Sequence, residues 1–213
     1  MQKFIMGKKI GMTQVFGPTG EVTPVTVIEA GPCVVVQKKS IATDGYNAIK
    51  LGFSPLKARK ATKPQKGLFE KIKVSPLKFL REARLDDVEQ YQVGQEIKCD
   101  VFQSGDYVDI TGISRGKGFA GVVRRYGFKR GPMAHGSKYH RGPGSLQSRD
   151  AARVFKGRRL PGHMGQRRVT VQKLRVMRVD PENNIILVKG AVPGAHGALV
   201  TIKDTVKRKF SKA

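Results

Sequence analysis

Most of the chain alternates short apolar runs with glycine- or proline-bearing breaks, and one central stretch loses that alternation. Phe4-Ile5-Met6 and residues 12–16 read as two short strands separated by Gly7 and Gly11, with Gly17-Pro18-Thr19-Gly20 as a turn. Residues 22–29 are rich in β-branched side chains and stop at Gly31-Pro32. Residues 33–38 form another strand, and Asp44-Gly45 is a hairpin turn signal ahead of a strand over 46–53. Beyond it, Pro55, Pro64 and Pro76 punctuate a lysine-rich stretch. The segment 76–85 fits a short helix by the spacing of Leu77, Leu80 and Arg84, or an edge strand.

Strand character returns over 94–100 and 107–113, with Ser104-Gly105-Asp106 as the turn between them. After the central stretch, residues 169–179 carry Val169, Val171, Leu174, Val176 and Val179 among polar residues. Asp180-Pro181-Glu182-Asn183-Asn184 is a turn and 185–188 a buried-type strand. Pro193-Gly194 and His196-Gly197 mark a loop before a last strand over 198–203, and Lys207-Arg208-Lys209 forms a basic tail. Short strands between glycine and proline turns predict a mainly β fold, an antiparallel sheet or barrel. The expected organisation is a β domain made of residues 1–113 and 169–213, with a small α/β satellite at about 54–95. The stretch 114–168 leaves that domain and returns to it.

Charge explains why the central stretch differs. Residues 114–168 hold fifteen basic residues and one acid, Asp150, in a chain of formal net charge +25. Their sparse apolar residues keep neither a helical nor a strand period, so the stretch is not expected to build a core. Such a segment repels itself in water, and is either a disordered basic linker or a binder of an external polyanion. Nucleic acid is the partner that this charge pattern fits. A polybasic membrane binder would need an apolar helical face beside the charge, and none is present. No apolar run is long enough for a transmembrane helix. The start, MQKFIMGKKIGM, meets glycine and lysine too soon for a signal-peptide core. Aromatic residues Phe119, Tyr126, Phe128, Tyr139 and Phe155 are interleaved with the cations, where flat rings can stack on unpaired bases. Alternatively, some of them pin the segment to its own stem, with Phe119 the candidate.

Several patterns imitate catalytic motifs. Gly116-Lys117-Gly118-Phe119-Ala120-Gly121 has dinucleotide-fingerprint spacing, but residues 134–145 lack the acid that would hold the ribose, and Gly127 and Gly131 oppose the required helix. Gly112-Ile113-Ser114-Arg115-Gly116 matches a nucleophile elbow, with Asp150 and His163 following in order, yet in an arginine-rich setting that excludes no water. His135 and His140 lack neighbouring cysteine or carboxylate for a metal site; they read as RNA contacts or as exposed loop residues. Cys33 and Cys99 form no CxxC pair and read as buried or half-buried thiols in a reducing compartment. No catalytic residue, cofactor or metal is expected.

The motifs of the chain resemble those of the bacterial ribosomal protein L3 family, universal family uL3. The likeness starts at Gly7-Lys8-Lys9-Ile10-Gly11-Met12-Thr13-Gln14 and runs through Pro24-Val25-Thr26-Val27 and Gly31-Pro32-Cys33. Its most specific part is Phe102, Asp109, then Gly112-Ile113-Ser114-Arg115-Gly116-Lys117-Gly118-Phe119-Ala120-Gly121, and Arg125. His135-Gly136-Ser137, His140-Arg141, Pro143-Gly144-Ser145 and Val154-Phe155-Lys156-Gly157 follow collinearly.

The resemblance implies a closed antiparallel β-barrel of the translation-factor type and a long basic extension threading 23S ribosomal RNA toward the peptidyl transferase centre. It also implies a cytoplasmic, non-enzymatic constituent of the 50S subunit that nucleates early assembly beside ribosomal proteins L14, L19 and L13. A free-standing RNA chaperone or nucleoid-type protein is the alternative. The expected RNA-binding residues are Arg115, Lys117, Arg124, Arg125, Lys129, Arg130, His135, Lys138, His140, Arg141, Arg153, Lys156, Arg158, Arg159, Arg167 and Arg168. The expected tip is Ser145, Gln147, Ser148, Arg149 and Asp150. In some family members a glutamine after Ser-Ile-Gly near this tip is N5-methylated. Here Ser145-Leu146 precede Gln147 directly, the glycine is missing, and Gln147 is the candidate position.

Overall fold

Gly7 and Gly11 do not interrupt the first apolar run. In the computed structural model, which describes residues 3–207, a single strand β1 (Phe4–Phe16) passes through both. A Cβ on Gly7 would stand 2.7 Å from the Glu29 carbonyl oxygen, so this glycine permits a close approach of the paired strand's backbone. Gly11 follows a bulge in the pairing after Lys9. Arg208 and Lys209 of the expected basic tail lie outside the described residues.

The strands that follow are β2 (Val22–Ala30), β3 (Cys33–Lys39), β4 (Ala48–Pro55), β5 (Leu77–Arg84), β6 (Glu96–Ile97) and β7 (Tyr107–Ile113). Then come β8 (Gly118–Ala120), β9 (Gly162–Met164), β10 (Arg168–Asp180), β11 (Ile185–Lys189) and β12 (Leu199–Asp204). Among the described residues three α-helices are interspersed: α1 (Ile41–Asp44), α2 (Lys63–Lys71) and α3 (Val122–Tyr126). The order β1-β12-β7-β10-β11-β2 closes into an antiparallel barrel. Closure leaves no free sheet edge around the ring. Ile5, Ile28, Ile110, Val176, Ile186, Val188, Val200 and Ile202 fill it and have no exposed surface.

A second sheet, β5-β4-β3-β6, begins at Cys33, earlier than the satellite expected near residue 54. Gly31, at φ 89°, turns the chain after β2. The run Cys33-Val34-Val35-Val36 is buried on both faces. Cys33 and Val35 join the main core, while Val34 and Val36 meet Phe69 of α2 and Leu77. The segment 76–85 is the edge strand, not the helix, because β4 offers it a partner along its length. Helix α2, which the proline-punctuated reading missed, starts where Gln65 Oε1 accepts the Thr62 N–H at 3.1 Å. Of the strand expected over 94–100, only β6 is strand, followed by a 3-10 turn at Cys99–Val101. Both cysteines are buried and free. Burial pushes the Cys33 thiol up to about 12, which makes it inert.

The pairing of β7 with β10 contains the most informative irregularity. The apolar positions of β10 change step between Val171 and Leu174, and the register shifts there. Lys173 takes φ 56° in the bulge. Its N–H donates to Asp109 Oδ1 at 2.9 Å, and the Val206 N–H donates to Oδ2 at 3.2 Å. Asp109 has no exposed surface. Burial alone would raise its carboxyl; the bonds from Lys173, Thr205 and Val206 outweigh it and hold the group below its ordinary value of 3.8.

A carboxyl lowered by folding stabilises the protein above its unfolded value, and that stabilisation is lost as pH falls through the folded one. Asp109→Asn should therefore cost about 1–3 kcal/mol at pH 7. It should also shrink the loss of stability below pH 3.8 relative to the parent. Asp106, where Lys3 and the Gln103 amide together outweigh burial, and Asp180, hydrogen-bonded by Asn183, would retain their share of that loss. Urea midpoints at neutral and acid pH measure both effects. Parallel pH profiles for the two proteins would remove Asp109 from the account.

Candidate nucleic-acid interface

The contacts divide the chain into two compact units, and Ser114–Arg167 is one of them. Its base is sewn together by Ser114. The Ser114 N–H donates to the Arg167 carbonyl at 2.8 Å, the Arg167 N–H to Ser114 Oγ at 3.1 Å, and the Gln166 N–H to the Ser114 carbonyl at 3.1 Å. The hydroxyl that matched the nucleophile pattern is thus an acceptor within a turn of backbone. The glycine-rich run after it enters β8, which pairs with β9, and then α3, five residues long and ended by Gly127 at φ 73°. Regular structure stops there until β9. Ala120 and Val122 are buried.

Nearly every expected RNA-binding side chain is on the surface. Arg115, Lys117, Arg124, Lys129, Arg130, His135, Lys138, Arg141, Arg153, Lys156, Arg158, Arg159, Arg167 and Arg168 are exposed, and Arg125 and His140 are half-buried. The tip residues Ser145, Gln147, Ser148, Arg149 and Asp150 are exposed too. Among the described residues, no three His, Cys, Asp or Glu side chains come together as a metal cluster would require.

The two half-buried groups hold the segment's shape. Arg125 Nη1 donates to the Leu160 carbonyl at 2.7 Å, and its guanidinium lies 5.1 Å from the centroid of the Tyr126 ring. Arg159 stands 5.8 Å from the same ring, and Phe128 packs at 6.3 Å. Gly162 makes room, since a Cβ there would sit 2.6 Å from Arg125 Nη1. His140 Nδ1 lies 3.0 Å from the Pro132 carbonyl, while the Gly131 N–H donates to the His140 carbonyl at 2.8 Å. The Tyr139 hydroxyl donates to the Gly142 carbonyl at 2.5 Å. At the tip, Ser145 Oγ donates to the Gln147 carbonyl at 3.1 Å and the Arg158 guanidinium to the Ser145 carbonyl. Gln147 and Leu146 share an open groove with Phe128 and Phe155.

The aromatic residues therefore divide differently from the expectation. Tyr126 and Tyr139 pin the segment to itself. Phe119, expected to be the pin, is 80 % exposed on β8, while its neighbour Ala120 points the other way and is buried. Three-residue strands are too short to carry a legible alternation, and the partner of Phe119 in β9 is His163, far away in sequence.

A Cβ on Gly131 would collide with the Tyr139 carbonyl. Gly131→Ala should therefore open the 131–142 loop and speed tryptic cleavage after Lys138 and Arg141 several-fold, followed by mass spectrometry. Cleavage at parental rates would mean that the loop yields without opening.

Comparison with known proteins gives one family. The family model described as ribosomal protein L3 matches residues 82–183. The large ribosomal subunit protein uL3 of Carboxydothermus hydrogenoformans is 60% identical over 209 residues, covering 98% of this chain and 100% of the relative. The same-named protein of Desulfitobacterium hafniense is 60% identical over 209 residues, with 98% and 99% covered. That of Heliobacterium modesticaldum is 54% identical over 208 residues, again with 98% and 99% covered.

Proposed function

The chain belongs to the uL3 family of large ribosomal subunit proteins, and from that membership we propose that its Ser114–Arg167 unit binds 23S ribosomal RNA directly. As a family member the protein is a structural, non-enzymatic constituent of the large subunit, a cytoplasmic ribonucleoprotein particle in bacteria. The observation that carries the RNA reading is the unit's exposed cationic surface: apart from the half-buried Arg125, its basic side chains face solvent, and its single acid, Asp150, is exposed as well. Such a surface gains free energy from phosphates by releasing their counterions. The two half-buried groups, Arg125 and His140, keep the backbone in a shape that presents the rest.

In this reading the expected set, from Arg115 to Arg168, contacts RNA backbone, and binding early in assembly nucleates the fold of nearby RNA. The tip, Ser145 to Asp150, extends toward the peptidyl transferase centre, where small polar groups fit between RNA backbones. If both arms were fully extended from the midpoint at Arg141, their reach would be at most about 90 Å. Gln147, exposed in the tip, is accessible for N5-methylation. Ribosomal proteins L14, L19 and L13 are the neighbours proposed for the protein.

Affinity for a large-subunit RNA fragment should fall steeply with salt. Lys117→Gln with Arg124→Gln should lower the slope of log K against log salt by roughly 1–2. A parental slope near zero would mean that shape and stacking hold the complex, against this proposal. Gln147→Ala and Arg149→Glu should enter subunits at close to parental levels and change the rate of peptide-bond formation on purified particles. Tip variants that fail to assemble, yet translate normally once assembled, would make the tip an assembly anchor.

A further inference from the structure

Phe119 and His163 are directly opposed across the β8–β9 pair. Cross-strand neighbours of this kind hold their Cβ atoms about 4.5–5.5 Å apart on one face. Both side chains are exposed, Phe119 by 80 %. The opposite face carries the buried Ala120 and the half-buried Gly162 and Met164. A phenylalanine shown to solvent on a strand whose other face is covered is a ring the fold does not use.

We propose that Phe119 and His163 form a two-ring platform on which unpaired RNA bases stack. The proposal rests on the RNA-binding reading and names the part of the RNA that this face takes. One exposed apolar side chain is ordinary; the surroundings of this one are not. Lys117 is exposed two residues before Phe119, just outside β8, and Arg115 and Arg167 are exposed at the base of the same pair of strands. No acid lies within the sequence neighbourhood of either ring. With 80 % of its surface exposed, the Phe119 ring stands in open space. A protein partner would call for further apolar surface around the ring, whereas cations around flat rings match a nucleotide, with phosphate beside base. Duplex RNA hides its base faces, and splayed single-stranded bases offer them.

The chain contains no tryptophan, so Phe119→Trp installs a single tryptophan at the platform, selectively excited at the red edge of the tyrosine absorption. The probes are an oligouridylate strand and an RNA duplex of equal length, each titrated into the full-length protein. Phe119→Ala should weaken single-strand binding roughly 5- to 100-fold and change duplex binding little, and His163→Ala should act in the same direction. Phe119→Trp should keep single-strand affinity, with its fluorescence quenched by the strand and not by the duplex. Met133→Ala, which removes a side chain 62 % exposed in the same unit, should change neither affinity. Equal losses on both probes, or none on the single strand, would overturn the platform while leaving charge-driven RNA binding in place. A parent protein that binds neither probe would remove both readings together.

Discussion

A carboxylate with no exposed surface is stable only where donors converge on it, and the barrel is arranged around such a group. Asp109 sits in β7 and collects the amide of Lys173 from the bulge in β10 and the amide of Val206 just after β12. β10 and β12 are the two strands that flank β7 in the ring. One side chain thus ties three adjacent strands, and it does so where the step of β10 changes. Without the bulge, the apolar positions on one side of Leu174 would face the wrong way. Without the carboxylate, the amide that the bulge frees would lack its partner.

The Ser114–Arg167 unit meets the opposite problem. Its charges cannot be buried and are not balanced by acids, so the apolar effect contributes little to its order. Backbone closure takes over: Ser114 at the base, Gly131 with His140 in the loop, and Arg158 on the tip carbonyl. Glycine is essential where these closures bring the chain against itself, as at Gly131 against the Tyr139 carbonyl. Rings and guanidinium groups supply the remaining contacts, with Tyr126 between Arg125 and Arg159. The result is a surface whose shape is set locally and whose charge faces outward. That is the requirement for docking on a rigid polyanion without a hydrophobic core.

Local pattern made much of this legible. β2, β7, β11 and β12 follow from runs of valine, isoleucine and threonine between turn residues, because β-branched side chains and glycine or proline breaks act within a few residues. The density of arginine and lysine set the central cationic segment apart for the same reason, charge being additive along the chain. Family motifs extended that reading to the whole protein. What local pattern does not carry is partnership. β3 and β4 read as strands, but their membership of a second sheet depends on β5 and β6, which follow much later. The segment 76–85 was balanced between helix and strand until β4 supplied hydrogen bonds for it.

The same division holds at the site. Composition determined which residues are cationic, and hence that the segment carries a charge its own acids do not balance. Tertiary structure decided which of them face solvent, turning Arg125 and His140 inward to hold backbone and leaving Phe119 bare opposite His163. Gly7, which looked like a chain break, proved to be a site of close approach, since the space there is set by the neighbouring strand and not by the residue. Propensity and charge are properties of single positions and survive in the sequence. Register, exposure and the convergence of donors on Asp109 are relations between distant positions, and they exist only once the strands are paired.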